Sequence, residues 1–167
     1  MRFTAILDRF NSDLWGHHFR VPKAMAQDFV EGNDRRVICT LNETEEFHCA
    51  LMPDGEGAYF INVNKELRKK LNLRVGSELF VELKKDESEY GMPVPEELGE
   101  LLKMDEEGNA LFHALSKGKQ RSLLYMVSKP KRSETRLKKA VVIVDYLKST
   151  AGKLDYKQLN QAFKDNN

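Results

Sequence analysis

Shifted by 42 positions, the chain lies on itself without a gap. Val21-Pro22-Lys23-Ala24-Met25 falls on Val63-Asn64-Lys65-Glu66-Leu67, and Phe29 falls on Leu71. Val37, Cys39 and Leu41 fall on Leu79, Val81 and Leu83. Each copy reads as strand, Lys-led helix, tight turn, strand. One such unit cannot bury both its sheet face and its helix face. Two can pair about an approximate twofold axis and close a small barrel, which removes most exposed strand edges. This repeat predicts a six- or seven-stranded core for the N-terminal part.

The alternation extends beyond the repeat. Phe3, Ala5 and Leu7 form one inward set, and Phe47, Cys49 and Leu51 another, with Tyr59, Ile61 and Val63 following as a further strand. His17 to Val21 reads as a further strand. Helices are expected from Lys23 to Glu31, stopped by Gly32-Asn33-Asp34, and from Lys65 to Asn72. A five-residue hairpin loop at 42–46 would set Leu41 opposite Phe47 and Cys39 opposite Cys49. Both thiols then point inward and act as small apolar side chains, with a disulfide or redox pair as the alternative. Two cysteines in 167 residues make no disulfide framework, which fits reduced thiols and a cytoplasmic protein.

The character of the chain changes at Met92-Pro93-Val94-Pro95. Beyond it the periods are helical. Pro95 suits a helix start, and Asp105, Ser116 and Ser133 suit helix caps. Leu137, Ala140, Val141, Val144 and Leu147 predict one apolar stripe on a long helix that ends at Gly152. Tyr156, Leu159 and Phe163 mark a last, weaker helix. The fold class is α+β: a sheet-rich domain over 1–91, then an all-helical domain over 93–165.

Two resemblances agree with this division. Phe19-x-Val21-Pro22 after Trp15, Phe47…Leu51-x-Pro53-x-Gly55-x-Gly57, Val63-x-Lys65-x-Leu67-Arg68-Lys69-x-Leu71 and Val75-Gly76-x-x-Leu79 together resemble a bacterial domain of unknown function, number 1905 in the usual naming. That resemblance implies a double-split β-barrel, related in fold to swapped-hairpin transcription factors. Pro93-x-Pro95-Glu96-Glu97-Leu98, Phe112-x-x-Leu115-Ser116, Arg121, Tyr125-x-x-x-x-Lys129 and Glu134-Thr135-Arg136-x-Lys138-Lys139 resemble the YdeI/OmpD-associated, or bacteriocin-protection, segment. Pro130 interrupts a stretch that is usually Ala-Lys-Lys/Arg. The resemblance implies a link to protection against antimicrobial peptides and carries over no catalytic residue.

Charge supplies the functional lead. Residues 1–92 hold 13 Lys and Arg against 16 Asp and Glu, a net of −3, and residues 93–167 hold 14 against 10, a net of +4. Within 116–139, nine basic residues face only Glu134, a net of +8. Lys117, Lys119, Arg121, Arg132, Arg136 and Lys139 are the candidate contacts for an anionic ligand or a protein partner. The competing reading is a solvated face, with Arg136 paired to a carboxylate of the acidic first domain. Trp15, Tyr59 and Tyr90 are candidates to line a pocket at the barrel mouth, although such aromatics are more often core or lid residues.

No enzyme motif is present: no Gly-x-Ser-x-Gly, Walker loop or Rossmann glycines. His17 and His18 point to opposite faces of a strand and cannot ligate one metal in regular geometry, and His48 points away from the two cysteines. No catalytic residue, metal or cofactor is assigned. The longest apolar runs fall far short of a membrane span. The reading is a monomeric, non-enzymatic binding protein linked to envelope stress or bacteriocin protection. The alternatives are a nucleic-acid-binding regulator and an enzyme acting on a small molecule in a barrel pocket.

Overall fold

The computed structural model describes residues 1–11 and 16–166. The chain forms two compact units that divide between Gly91 and Met92.

The first unit is mixed. Its strands are β1 (Arg2–Ile6), β2 (Asp8–Arg9), β3 (His17–Val21), β4 (Arg36–Leu41), β5 (Glu45–Ala50), β6 (Met52–Pro53), β7 (Tyr59–Asn62) and β8 (Glu78–Lys85). Two short helices interrupt them, α1 (Lys23–Gln27) after β3 and α2 (Lys65–Lys70) after β7. The strands form two antiparallel four-stranded sheets in the orders β1-β8-β4-β5 and β2-β3-β7-β6. No ladder joins one sheet to the other among the described residues.

Both sheets contribute to one core. Phe19, Val21 and Ile61 from the second sheet cluster with Val37, Cys39, Leu41, Leu79, Val81 and Leu83 from the first. Met25 of α1 and Leu67 of α2 pack on the edge of this cluster. Two of the ladders each contain one pair of repeat-equivalent residues: Phe19 lies opposite Ile61, and Thr40 lies opposite Glu82. Each pair joins residues 42 apart (61 − 19 and 82 − 40). Between β1 and β2, the fully buried Leu7 donates its N–H to Ser77 O at 2.9 Å. Between β5 and β6, the fully buried Leu51 donates to Arg35 O at 2.8 Å.

Two local expectations fail here. The β4–β5 hairpin loop is Asn42–Thr44, not 42–46. Asn42 and Glu43 take φ of 50° and 60°, and the Asn42 carboxamide oxygen accepts from Phe80 N–H at 2.9 Å. An Asn that tolerates left-handed backbone tightens the turn by two residues. Cys39 therefore lies opposite Phe47 and Val37 opposite Cys49. Because the register moves by an even number, both cysteines keep the same face and sit diagonally. The second correction is α1, which ends at Gln27 instead of Glu31. The turn that follows carries Phe29 into the core, and Glu31 and Asp34 bridge to each other.

Among its described residues the second unit has five helices: α3 (Glu96–Met104), α4 (Glu106–Ala114), α5 (Lys117–Ser128), α6 (Ser133–Ser149) and α7 (Tyr156–Asp165). The Asp105, Ser116 and Asp155 side chains cap α4, α5 and α7 by accepting backbone N–H bonds. Helix α6 packs against the other four. Gly108 lets α4 approach it closely, since a Cβ there would lie 2.5 Å from Val144 Cγ1. A helix surrounded in this way buries a broad face. Ala140, Ile143, Val144, Tyr146 and Leu147 are buried, whereas Leu137 and Val141 of the expected stripe are exposed. Ser133 is also not a cap. Arg132 holds the cap position, and Ser133 turns its hydroxyl to Glu97.

Candidate functional site

The +8 segment occupies α5, the turn after it and the first half of α6. A 12-residue helix is about 18 Å long. Lys117 and Lys119 therefore stand at one end of α5 and Arg132 beyond the other. The six candidate cations do not converge on one pocket.

Arg136 is committed within the second unit. Its Nε and Nη2 reach Glu97 Oε1 at 2.9 and 2.8 Å, and Ser133 Oγ donates to the same oxygen at 2.6 Å. Its Nη1 donates to the Lys131 and Pro130 carbonyls at 2.9 and 3.3 Å. One guanidinium thus ties the first turn of α3 to the α5–α6 turn and the start of α6. The partner is a carboxylate of α3, not of the first domain as expected. The Glu-Thr-Arg motif is structural here because its Arg closes a helix junction.

The same contacts pull the Glu97 carboxyl from 4.5 down to about 2, through Arg136 first and Ser133 second. A depressed carboxyl stabilises the fold above its ordinary value, and that contribution fades as pH falls from about 4.5 toward 2. Arg136→Ala and Glu97→Gln are each expected to lower the melting temperature at pH 7. Their deficit against wild type should shrink as the pH is taken down through that window. A constant deficit in thermal scans from pH 7 to pH 2.5 would contradict this role.

The other candidates differ in state. Lys139 Nζ lies 5.1 Å from the Phe163 ring centroid, a cation–π contact that leaves the ammonium half-exposed. Lys117 and Arg121 each have an interaction partner. Lys119 and Arg132 are exposed and have no carboxylate partner among the described residues, as do Lys129, Lys131 and Lys138.

The structure describes two of the three aromatic candidates. Trp15 lies outside the described residues. Tyr59 packs half-buried against the core. Tyr90 sits half-buried after β8, where burial first and Glu89 second raise its phenol. The space between the sheets is filled: Val21, Cys39, Leu51, Val63 and Val81 are at most 2% exposed. That filling weighs against a substrate chamber inside the core. The Cys39 thiol is pushed well up by its hydrogen bond to Cys49 and by burial, so it stays protonated and inert. No cluster of three or more His, Cys, Asp or Glu among the described residues could hold a metal ion.

Sequence reasoning missed one polar centre. Asp86, just after β8, has a fully buried side chain. Its Oδ2 meets His48 Nδ1 at 2.8 Å, and its Oδ1 accepts from both the N–H and the hydroxyl of Ser88. His48 and Asp86 are 38 positions apart, so no motif announces the pair.

Residues 3–83 match the family model for a domain of unknown function (DUF1905). Residues 91–149 match that for the family described as "Bacteriocin-protection, YdeI or OmpD-Associated". The chain joins a DUF1905 domain to a YdeI/OmpD-associated domain. The first match covers every strand except its two ends, from within β1 into β8. The second takes in α3 to α6 and stops short of α7. The Arg136–Glu97 junction therefore lies wholly inside the YdeI/OmpD-associated match. No curated protein and no solved structure matches the chain significantly. Among the described residues no helix is long and apolar enough to cross a membrane.

Proposed function

We propose that this protein is a non-enzymatic binding protein acting in bacteriocin protection, and that it meets an anionic partner through the basic surface of its YdeI/OmpD-associated domain. The observation that carries this reading is the state of five cations. Lys119, Lys129, Lys131, Arg132 and Lys138 are exposed, and no carboxylate among the described residues neutralises them. Uncompensated positive charge raises the local concentration of anions and speeds their encounter. The same surface repels a cationic peptide, so protection on this reading does not come from direct capture of one.

The DUF1905 domain is read as a double-split barrel made by tandem duplication in one chain. Support comes from equivalence at every level. A shift of 42 carries β3, α1 and β4 onto β7, α2 and β8. The ladders pair equivalent residues, Phe19 with Ile61 and Thr40 with Glu82. A shift of 44 carries Phe3, Ala5 and Leu7 onto Phe47, Cys49 and Leu51. Leu7 and Leu51 then make equivalent hydrogen bonds, to Ser77 and to Arg35, again 42 apart (77 − 35). Both halves lie in one polypeptide, so a cytoplasmic monomer suffices.

The test is complementation. A strain lacking the protein is challenged with an antimicrobial peptide and supplied with wild type or with Lys119, Lys129, Lys131, Arg132 and Lys138 all changed to Glu. Wild type should restore survival and the folded five-site variant should not. Equal protection by both would end the proposal. A DNA duplex bound with affinity falling about 10³-fold or more between 50 and 200 mM salt would favour the regulator reading instead.

A further inference from the structure

The DUF1905 domain carries a second cationic feature, remote in sequence from the basic helices. A cleft of about 260 Å³ opens beside the end of β7 and the start of α2. His17, Asn62, Lys65 and Arg68 are its polar walls, with Asn64 and the backbone at Gly16 beside them. None of the lining side chains among the described residues is acidic. Neither Lys65 nor Arg68 has a carboxylate partner among the described residues.

Arg68 is the unusual member. It is half-buried, and its Nε is out of contact with solvent and without a hydrogen-bond acceptor. Its Nη1 approaches His17 Nε2 at 3.4 Å, a long contact to a ring rather than to a counter-ion. A half-buried guanidinium normally meets a carboxylate or phosphate, because leaving the donors unpaired is costly. Burial first, then Arg68, Arg9 and His18, push His17 below its ordinary 6.5, so the ring is neutral at pH 7. The fold itself does not ask for a cation at position 68, although Lys23 is the equivalent of Lys65. In the duplication proposed above, Ala26 is the equivalent of Arg68, Pro22 of Asn64 and Tyr59 of His17. Ala26 is fully buried and the helix around it still packs.

We propose that this cleft binds a phosphate group, held by Arg68 and Lys65 with Asn62 and His17 completing the polar wall. Two full positive charges match a phosphate monoester, which carries about −1.5 to −2 at pH 7, better than a single carboxylate. The volume lies under the roughly 300–1,000 Å³ of sites that enclose a whole drug-sized ligand. The cleft therefore grips a terminal phosphate and leaves the rest of the molecule outside. Such a group can belong to a soluble phosphomonoester or to a lipid headgroup.

The experiment follows the His17 imidazole resonances of the full chain by NMR. Titrants are inorganic phosphate, glycerol 3-phosphate and vesicles containing phosphatidic acid, with acetate as the monoanion control. Saturable shifts with phosphate or the phosphomonoester, a raised His17 pKa in the bound form and no effect of acetate are expected. A soluble ligand is indicated where glycerol 3-phosphate binds at least as well as phosphate, and a headgroup where only the vesicles saturate the response. Arg68→Gln should weaken binding by about tenfold or more, and Arg68→Lys should recover part of it. If Arg68→Gln proves unfolded, Lys65→Gln and the wild-type titration decide. The absence of any saturable His17 response up to about 20 mM phosphate or phosphomonoester, and with vesicles, would overturn the site. So would unchanged binding by a folded Arg68→Gln. The five-site variant of the helical domain should respond as wild type does, which separates this site from the basic surface.

Discussion

Val81→Asp is expected to unfold the DUF1905 domain while the helical domain keeps its secondary structure. Val81 is fully buried at the centre of β8, opposite Phe3 of β1 and Leu41 of β4. Both cross-strand neighbours and the inner face of the other sheet are apolar, so a carboxylate there finds no donor. Burying an unpaired charge in such a place costs about 4 kcal/mol or more, against a typical domain stability of roughly 5–15 kcal/mol. Val81→Ala, which leaves only a small cavity, should cost about 2 kcal/mol and stay folded. The two cysteines report on this domain alone, since both lie within it. In the wild type Cys39 is buried and should resist a thiol reagent until the domain opens. In Val81→Asp both thiols should react at once, with most of the helical circular dichroism retained from a domain whose own core includes Leu98, Leu123, Ile143 and Leu147. Protection of Cys39 in the variant would show that Val81 does not point where its burial says it does.

What could be read in advance divides by sequence distance. The inward set Val37, Cys39, Leu41 and its counterpart Leu79, Val81, Leu83 follow a period of two, and all six are fully buried. Asp105 and Ser116 act within three residues of themselves, and both cap as expected. The hairpin at Asn42 was harder. Its register depends on two residues entering the left-handed region, which the alternation alone does not reveal because an even slip keeps every face. The shift of 44 that relates Leu7 to Leu51 was hidden for a similar reason. Two residues more separate the paired segments in the first copy than in the second, so a search at 42 passes over it. Side-chain centres were not legible at all. Arg136 meets Glu97 across 39 positions, and Arg68 meets His17 across 51. Periodicity says which way a side chain points, whereas these contacts depend on which elements the fold brings side by side. The basic segment shows the limit from the other direction. Its charge count was plain, but Arg136 is consumed at a helix junction and Lys139 rests on Phe163, so the count overstated what is free to bind.

The second large effect falls at Asp86, whose loss should destabilise the DUF1905 domain by about 3 kcal/mol. Its buried carboxylate accepts from His48 Nδ1 and from the Ser88 N–H and hydroxyl. The network continues outward: Gly91 N–H donates to Ser88 Oγ, and Arg36 Nη2 donates to Gly91 O at 2.6 Å. Asp86 N–H in turn donates to Arg36 O, which fixes the end of β8 against β4. Asp86→Ala deletes the acceptor at the centre of this chain and leaves the Ser88 and His48 donors facing a void. Asp86→Asn keeps an acceptor for Ser88, and its amide can donate to the other tautomer of His48, so it should cost about half as much. The two variants also separate charge from shape through pH. Burial alone would raise the Asp86 carboxyl, but the hydrogen bonds from Ser88 and His48 outweigh it and hold the group below its ordinary 3.8. A depressed carboxyl stabilises above its unfolded value and loses that contribution as pH falls through the folded one. Wild type should therefore weaken as the pH drops below about 4, and neither variant should share that part of the acid limb. Urea titrations between pH 7 and pH 3, read through Cys39 reactivity at the upper end and circular dichroism throughout, measure the difference. Parallel acid limbs in wild type and Asp86→Asn would mean that the carboxylate is not held ionised by Ser88 and His48, and the centre would then be a matter of packing alone.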